Sequence, residues 1–213
     1  MSFVPAIVFH EIAHGYAAYK LGDPTAKSQG RLSLNPLAHI DLFGTILLPG
    51  MMMLMGGPVF GYAKPVPYNP RYFKDIRKGE VIVGLAGPLA NLVMAMLAGV
   101  VAWLLYPVAW DLLVSSKLFG AFYLGFLPTF ALVNLYFMFF NLLPIPPLDG
   151  SSIIAPFLSP KALNQYYRIQ QYALPVLMIA LMALPYFFHI NPIGWYLDLT
   201  AGTLANILFP FSI

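Results

Sequence analysis

The sequence lacks cysteine and has few charged residues. Charged residues make up 9% of its 213 positions, whereas an average soluble domain has about 25%. Without cysteine the chain can form neither a disulfide bond nor a thiolate metal site, so any bound metal must use His, Asp, Glu or neutral oxygen ligands. Because 60% of the residues are hydrophobic, so few charges cannot cover a soluble globule of this size. The composition therefore predicts a multi-pass protein of the cell membrane.

The net charge is too small to indicate nucleic-acid binding. It is +3, and the basic residues are dispersed except within residues 64–80, KPVPYNPRYFKDIRKGE. That stretch has five basic and two acidic residues, which is typical of a loop at a membrane face. The sequence thus predicts contact with a lipid bilayer and none with nucleic acid.

The apolar segments predict an all-α polytopic membrane protein with about five to six transmembrane helices. A spanning helix needs about 20 mainly apolar residues. The candidates are residues 2–21, 42–63, 81–106, 118–143 and 173–189, with the tail after residue 190 as a short sixth span or an interfacial helix. Segment 42–63 contains Gly and Pro residues that could bend it or make it re-entrant. The alternation in GRLSLN predicts a short β-hairpin near residues 25–36.

The distribution of Lys and Arg predicts which side of the membrane is cytoplasmic. If the first four candidate segments each cross once, the N-terminus, residues 64–80 and residues 144–172 lie on one side. That side holds seven basic residues and the other side holds four. The positive-inside rule makes the first side the better candidate for the cytoplasm.

Residues 10–14, HEIAH, place three ionisable groups inside an apolar segment. On a helix, His10 and His14 lie one turn apart on the same face, so both imidazoles can bind one cation. Glu11 lies about 100° further around the axis and can reach a water at that cation, which is the arrangement of a zinc hydrolase. Coincidence is the alternative, but each ionisable group in a spanning helix costs about 2.5–3.5 kcal/mol, which favours a functional metal site.

A catalytic zinc site usually has a third protein ligand, and Asp149 is the best candidate. It follows a long apolar span and the sequence PIPP, and Gly150 comes directly after it. Prolines and glycine can unwind a helix and aim a carboxylate inward. The alternative is an Asp that only caps the next helix. His39 and His189 are interpreted as interfacial polar residues.

Two asparagines in apolar segments need polar partners. Asn91 ends the sequence GPLAN and lies within segment 81–106. Its amide could bind a substrate backbone or a developing oxyanion, or it could be structural, and the sequence leaves both open. Asn141 is interpreted as structural, pinning the unwound backbone that Pro144 and Pro146 stiffen.

Together these residues resemble the site-2 protease family of intramembrane zinc metalloproteases. Three family motifs occur in order: HEIAH (10–14) for H-E-x-x-H, GPLAN (87–91) for G-P-x-x-N, and NLLPIPPLDG (141–150) for N-x-x-P-x-P-x-L-D-G. The sequences GRLSLNPLAHID and KPVPYNPR resemble a compact prokaryotic branch. No PDZ-like insertion or CBS-like domain is evident.

The resemblance implies one zinc ion per chain, held by His10, His14 and Asp149. It implies that Glu11 is the general base and acid and that Asn91 borders the catalytic site. The substrate would be a transmembrane helix of another protein, cleaved as in regulated intramembrane proteolysis. We expect a single membrane-embedded domain over residues 1–213, with a catalytic core at about 1–155 and C-terminal helices at about 156–213. A metal-binding membrane protein without protease activity, such as a transporter or an inactive homologue, is the alternative.

Overall fold

The computed structural model of the chain describes residues 2–54 and 64–211. Within these residues the chain is built from α-helices joined by loops and by short 3₁₀ and π-helical turns, and it contains no β-strand. The α-helices are α1 (Phe3–Lys20), α2 (Thr25–Ser28), α3 (Leu48–Leu54), α4 (Ile76–Ser115), α5 (Lys117–Gly120), α6 (Leu127–Asn141), α7 (Asp149–Ile154), α8 (Pro160–Phe188), α9 (Pro192–Leu197) and α10 (Thr203–Leu208).

Helix α4 is the centre of the fold. It begins where the Asp75 side chain accepts a hydrogen bond from the Lys78 backbone N–H, and it continues for 40 residues, or about 60 Å at 1.5 Å per residue. Helices α1, α6 and α7 all pack against it. Its contact with α6 is rich in small residues, including the buried Ala95, Ala98 and Ala102. Small residues let helices approach closely where lipid removes the hydrophobic driving force for association.

Helix α1 presents one narrow stripe to the rest of the protein. Ala6, His10, His14 and Ala18 are all buried and recur at every fourth position, which places them on one face of an α-helix. Because α1 packs mainly against α4, this stripe directs both imidazoles towards the first third of α4.

Three helices among the described residues are long and apolar enough to cross a membrane, namely Ile76–Ser115, Lys117–Asn141 and Pro160–Phe188. They overlap the predicted segments 81–106, 118–143 and 173–189, of which the first lies wholly within its helix and the other two extend one or two residues beyond theirs. The expected total of five to six spans is not reached in this part of the chain. The ionisable residues of α1 make that helix less apolar, and the tail helices are short. Of segment 42–63, residues 42–54 form a π-helical turn and α3, and the remainder lies outside the described residues.

The prediction of a β-hairpin near residues 25–36 is wrong. Residues 25–28 form α2, because the buried Asp23 carboxylate accepts hydrogen bonds from the backbone N–H and the hydroxyl of Thr25. Gly30 then turns the chain with φ +66°, and the backbone N–H of Arg31 donates to the Ala26 carbonyl. These local hydrogen bonds close a helical turn, so the alternation in GRLSLN has no partner strand.

The segment between α6 and α7 reverses the chain at one end of the bundle. Residues 142–148 are non-helical, and Leu148 anchors them by packing with Leu177 and Leu181 of α8. Asp149 therefore begins α7 beside α4, which α7 contacts. This position is close to the start of α4 and the end of α6, so it lies near one end of the spanning helices.

Candidate metal centre

Three side chains from two distant parts of the sequence meet between α1, α4 and α7. The Nε2 atoms of His10 and His14 are 3.0 Å apart. The Oδ2 atom of Asp149 lies 3.1 Å from the first and 3.2 Å from the second. The two imidazoles are buried, and the carboxylate side chain is 22% exposed. The structure thus brings together the three residues that the sequence nominated as metal ligands.

The other ring nitrogens fix the tautomer of both imidazoles. The Nδ1 atom of His10 lies 2.6 Å from the amide oxygen of Asn91, and the Nδ1 atom of His14 lies 2.7 Å from the carbonyl of Val83. Both partners are acceptors, so both Nδ1 atoms carry hydrogen. Each Nε2 therefore points a lone pair at the other imidazole and at Asp149. Histidines that bind metals usually donate their second ring N–H to an acceptor in the same way.

This donor set fits zinc. Three acceptors converge at 3.0–3.2 Å, and Oδ2 of Asp149 is buried without a hydrogen-bond partner. Ligand atoms at tetrahedral positions around zinc lie roughly 3.3 Å apart, which is close to the separations here. Such a cluster needs a cation.

Gly87 allows α4 to reach the imidazoles. A Cβ atom at this position would lie 2.7 Å from both Cε1 and Nε2 of His10 and closer still to Nε2 of His14. Only a residue without a side chain leaves room for the two rings against the α4 backbone. The first residue of GPLAN is therefore explained by the space that the metal ligands occupy.

A cavity of about 270 Å³ opens beside the three acceptors. Its lining combines the candidate site with segments that flank it: Glu11, His14, Pro65, Val66, Tyr68, Val83, Gly84, Pro147, Asp149, Ser152 and Gln170. Glu11 faces this cavity, and its Oε2 atom accepts a hydrogen bond of 2.8 Å from the Val66 backbone N–H. Burial raises the pKa of Tyr68 to about 12, with a smaller contribution from the charge of Glu80, so the Tyr68 phenol remains a hydrogen-bond donor.

Asn91 is placed behind His10, away from that cavity. Its side chain is fully buried, its oxygen accepts from His10, and its amide nitrogen donates to the Ala6 carbonyl at 3.0 Å and to the Asn134 side chain at 2.9 Å. Both amide hydrogens are therefore used within the protein. The structure favours a structural partner over an oxyanion donor, which were the two alternatives that the sequence left open. Asn134, which donates to the Phe130 carbonyl, went unnoticed in the sequence, although a polar residue within an apolar span was a usable signal.

The predicted supporting residues lie around the Asp149 turn. Pro144 and Pro146 belong to the non-helical segment 142–148. A Cβ atom at Gly150 would lie 2.5 Å from the Leu143 carbonyl oxygen, so glycine is required for the close approach of this turn to the end of α6. The amide of Asn141 donates to the Phe137 carbonyl, one turn back in α6, and not to the segment that it was expected to pin.

Known proteins of one family match most of this chain. Residues 1–184 match the model of the family described as peptidase family M50. The chain is 37% identical over 199 residues to the Bacillus subtilis protein named "Putative zinc metalloprotease YwhC", an alignment that covers 92% of this chain and 81% of that protein. No solved structure gives a significant match.

Two further relatives carry similar names. The chain is 30% identical over 212 residues to "Putative zinc metalloprotease Rip2" of Mycolicibacterium smegmatis, covering 94% of this chain and 76% of that protein. It is 28% identical over 158 residues to "Zinc metalloprotease MJ0392" of Methanocaldococcus jannaschii, covering 73% of this chain and 33% of that protein. Relatives from bacteria and an archaeon are thus named for the same chemistry.

Replacing Gly87 by alanine should weaken zinc binding. The new methyl group would collide with His10 and His14, so the imidazoles must move apart or turn away. Gly125→Ala is the matched control, because a Cβ atom there meets nothing within 4 Å. Zinc per chain, measured by atomic absorption on purified protein, should fall in Gly87→Ala only. Equal zinc in both variants would contradict the described approach of α4.

Replacing Asn91 by alanine should also weaken zinc binding, because the buried Nδ1–H of His10 would lose its acceptor. Loss of such a partner typically costs 10- to 100-fold in metal affinity. Chelator competition would give the affinity, with the exposed Asn164→Ala as the control. An unchanged affinity together with lost proteolysis would instead support the oxyanion role.

Proposed function

Since the chain belongs to peptidase family M50, the site-2 protease family, and is a zinc metalloprotease, we propose that it hydrolyses a peptide bond within or near a transmembrane segment of another membrane protein. Such cleavage would serve regulated intramembrane proteolysis. The observation that carries this proposal is the convergence of His10, His14 and Asp149 beside a cavity that Glu11 faces. The cavity lies near one end of helices long enough to span a membrane.

His10, His14 and Asp149 would hold one zinc ion. When bound, zinc supplies a Lewis acid that polarises the scissile carbonyl and lowers the pKa of water to about 7. The protein's own contribution is to keep both imidazoles neutral at Nε2, through the acceptors on their Nδ1–H groups. It also places the Asp149 carboxylate beside both Nε2 atoms.

Glu11 would carry the proton during hydrolysis. It follows the ligand His10 directly in sequence and lines the same cavity as His14 and Asp149. Its carboxylate would accept the proton of the attacking water and then deliver that proton to the leaving amine. The Val66 N–H holds one of its oxygens, Oε2, which leaves the other oxygen for proton transfer.

The substrate must present an extended backbone to this cavity. A helix keeps its carbonyl groups in internal hydrogen bonds, so a transmembrane helix would first unwind locally. Polar groups that could bind the freed backbone line the cavity, namely those of Tyr68, Ser152 and Gln170. Asn91 would act on the reaction only through His10.

The active site would face the cytoplasm. The cavity lies where α4 begins and where α6 and the following turn end, and the expected topology gives that side seven of the eleven basic residues. Water could enter there without crossing the bilayer. We expect this site to belong to a single membrane-embedded domain that has five to six spans in all.

Replacing Glu11 by glutamine should abolish proteolysis and leave zinc binding intact. Glutamine preserves the shape and the hydrogen bond from Val66 but cannot take up a proton. A single-span model protein with glycine and proline in its transmembrane helix, reconstituted in liposomes, is a suitable substrate. The wild type should cleave it, and Glu11→Gln should be at least 100-fold slower with equal zinc per chain.

Asp111→Asn is the control for loss of charge, because it neutralises an exposed carboxylate near the end of α4. It should behave like the wild type. If wild type and Glu11→Gln both hold zinc and neither cleaves, the protein binds metal without proteolysis, which is the alternative function.

A further inference from the structure

Two motifs from the sequence, GRLSLNPLAHID and KPVPYNPR, take no part in binding the metal, yet the structure joins them. Residues 64–69, called the strap here, run along the edge of the catalytic cavity. Nη2 of Arg31 donates to the Lys64 carbonyl at 2.7 Å and to the Pro65 carbonyl at 3.3 Å. The Lys64 backbone N–H in turn donates to the His39 carbonyl at 2.9 Å. The first motif therefore holds the beginning of the second.

The far end of the strap is also held by a buried charged group. The backbone N–H of Asn69 donates to Oδ2 of Asp23 at 2.6 Å, and the Asp23 side chain is fully buried. Beneath the strap, Gly15 of α1 leaves room for Val66, because a Cβ atom at Gly15 would lie 2.7 Å from the Val66 side chain. The strap is thus fixed at both ends and seated on the helix that carries Glu11.

The middle of the strap offers one hydrogen-bond donor, and Glu11 receives it. Proline has no backbone N–H, so between Pro65 and Pro67 only Val66 can donate. Its N–H lies 2.8 Å from Oε2 of Glu11, and Val66 is itself 6% exposed. The two prolines restrict the backbone to an extended form, which keeps this donor in place.

The Arg31 side chain is a buried charge, and burying a charge is unfavourable. It is 7% exposed, and among the described residues no ion pair accompanies it. A buried guanidinium without a counter-ion is destabilising unless its hydrogen bonds are well satisfied. Its two carbonyl partners are consecutive residues, directly before Val66. By holding these two carbonyls, Arg31 fixes the backbone directly before the Val66 N–H.

We propose that the strap positions the general base, with the Val66 N–H fixing the Glu11 carboxylate and Arg31 acting as a positioning residue through Lys64 and Pro65. This inference rests on the proposed function, in which Glu11 transfers the proton. It extends that function by giving the two motifs a joint role in the reaction. A strap that were only a wall of the cavity would affect substrate binding or folding instead.

Val66→Pro removes the donor and keeps the strap extended, whereas Val66→Ala keeps the donor and shortens the side chain. With the single-span model protein in liposomes as substrate, Val66→Pro should lower kcat by roughly 100-fold, the effect of a misplaced catalytic group. KM and zinc per chain should stay near the wild-type values. Val66→Ala should remain within a few-fold of the wild type in all three.

Arg31→Met and Arg31→Lys test the positioning role without altering the strap. Methionine removes the donors, so kcat should fall at unchanged KM and unchanged zinc. Lysine can donate to one carbonyl again, so Arg31→Lys should recover part of kcat. Zinc per chain also reports whether each variant has folded. If Val66→Pro holds no zinc, the Arg31 pair decides in its place.

Hydrogen exchange tests the contact without any substrate. In protein labelled with ¹⁵N-valine and ¹⁵N-asparagine, Glu11→Ala should make the Val66 amide exchange at least tenfold faster. The Asn69 amide, held by Asp23, is the internal control and should not change. An unchanged Val66 rate would overturn the proposal.

The kinetic outcomes separate two failures. If the wild type cleaves and a zinc-loaded Val66→Pro is equally active, or loses activity only through a higher KM, the strap only lines the cavity and the positioning role is overturned. If the wild type holds zinc and cleaves nothing, the proposed function fails, and the role of the strap in that reaction fails with it.

Discussion

The structure depends on the meeting of three electron-pair donors inside a largely apolar bundle. His10, His14 and Asp149 bring their acceptor atoms to within 3.0–3.2 Å of one another, a separation that is repulsive unless a cation lies among them. Helix α1 supplies the imidazoles from a stripe that repeats every four residues. Helix α4 has a glycine at position 87, which leaves room for the two imidazoles. The chain is non-helical after α6, so Asp149 can approach from the other side.

The low-dielectric surroundings explain why so many backbone and amide groups are committed to these side chains. An unpaired polar group costs several kcal/mol where water is absent. The protein therefore gives each imidazole a dedicated acceptor, Asn91 or the Val83 carbonyl. It gives Asn91 in turn two acceptors for its amide hydrogens. Because these polar groups are all hydrogen-bonded, the groups left to react are the Nε2 and Oδ2 lone pairs of the metal site and the free carboxylate oxygen of Glu11.

The three candidate ligands could be proposed from the sequence, because their signal is local or follows from elimination, and the structure places them together. The two histidines lie one turn apart on a helix, and Asp149 has prolines before it and a glycine after it. The partners of these residues are set by contacts across 43 to 81 positions, which no local pattern encodes. For that reason the placement of Asn91 behind His10, the support from Asn134 and the contact of Val66 with Glu11 emerged only in the structure. The hairpin prediction failed for the opposite reason, because the carboxylate of Asp23 closes a helical turn that outweighs the alternation after it.

The most direct test of this account is the zinc content of purified wild-type protein beside Asp149→Ala. The geometry predicts about one zinc per chain in the wild type and much less in the variant, since the two imidazoles alone make an incomplete site. Full zinc in Asp149→Ala would mean that another group completes the site. No zinc in either protein, even after incubation with zinc salts, would contradict the metal centre on which the whole account rests.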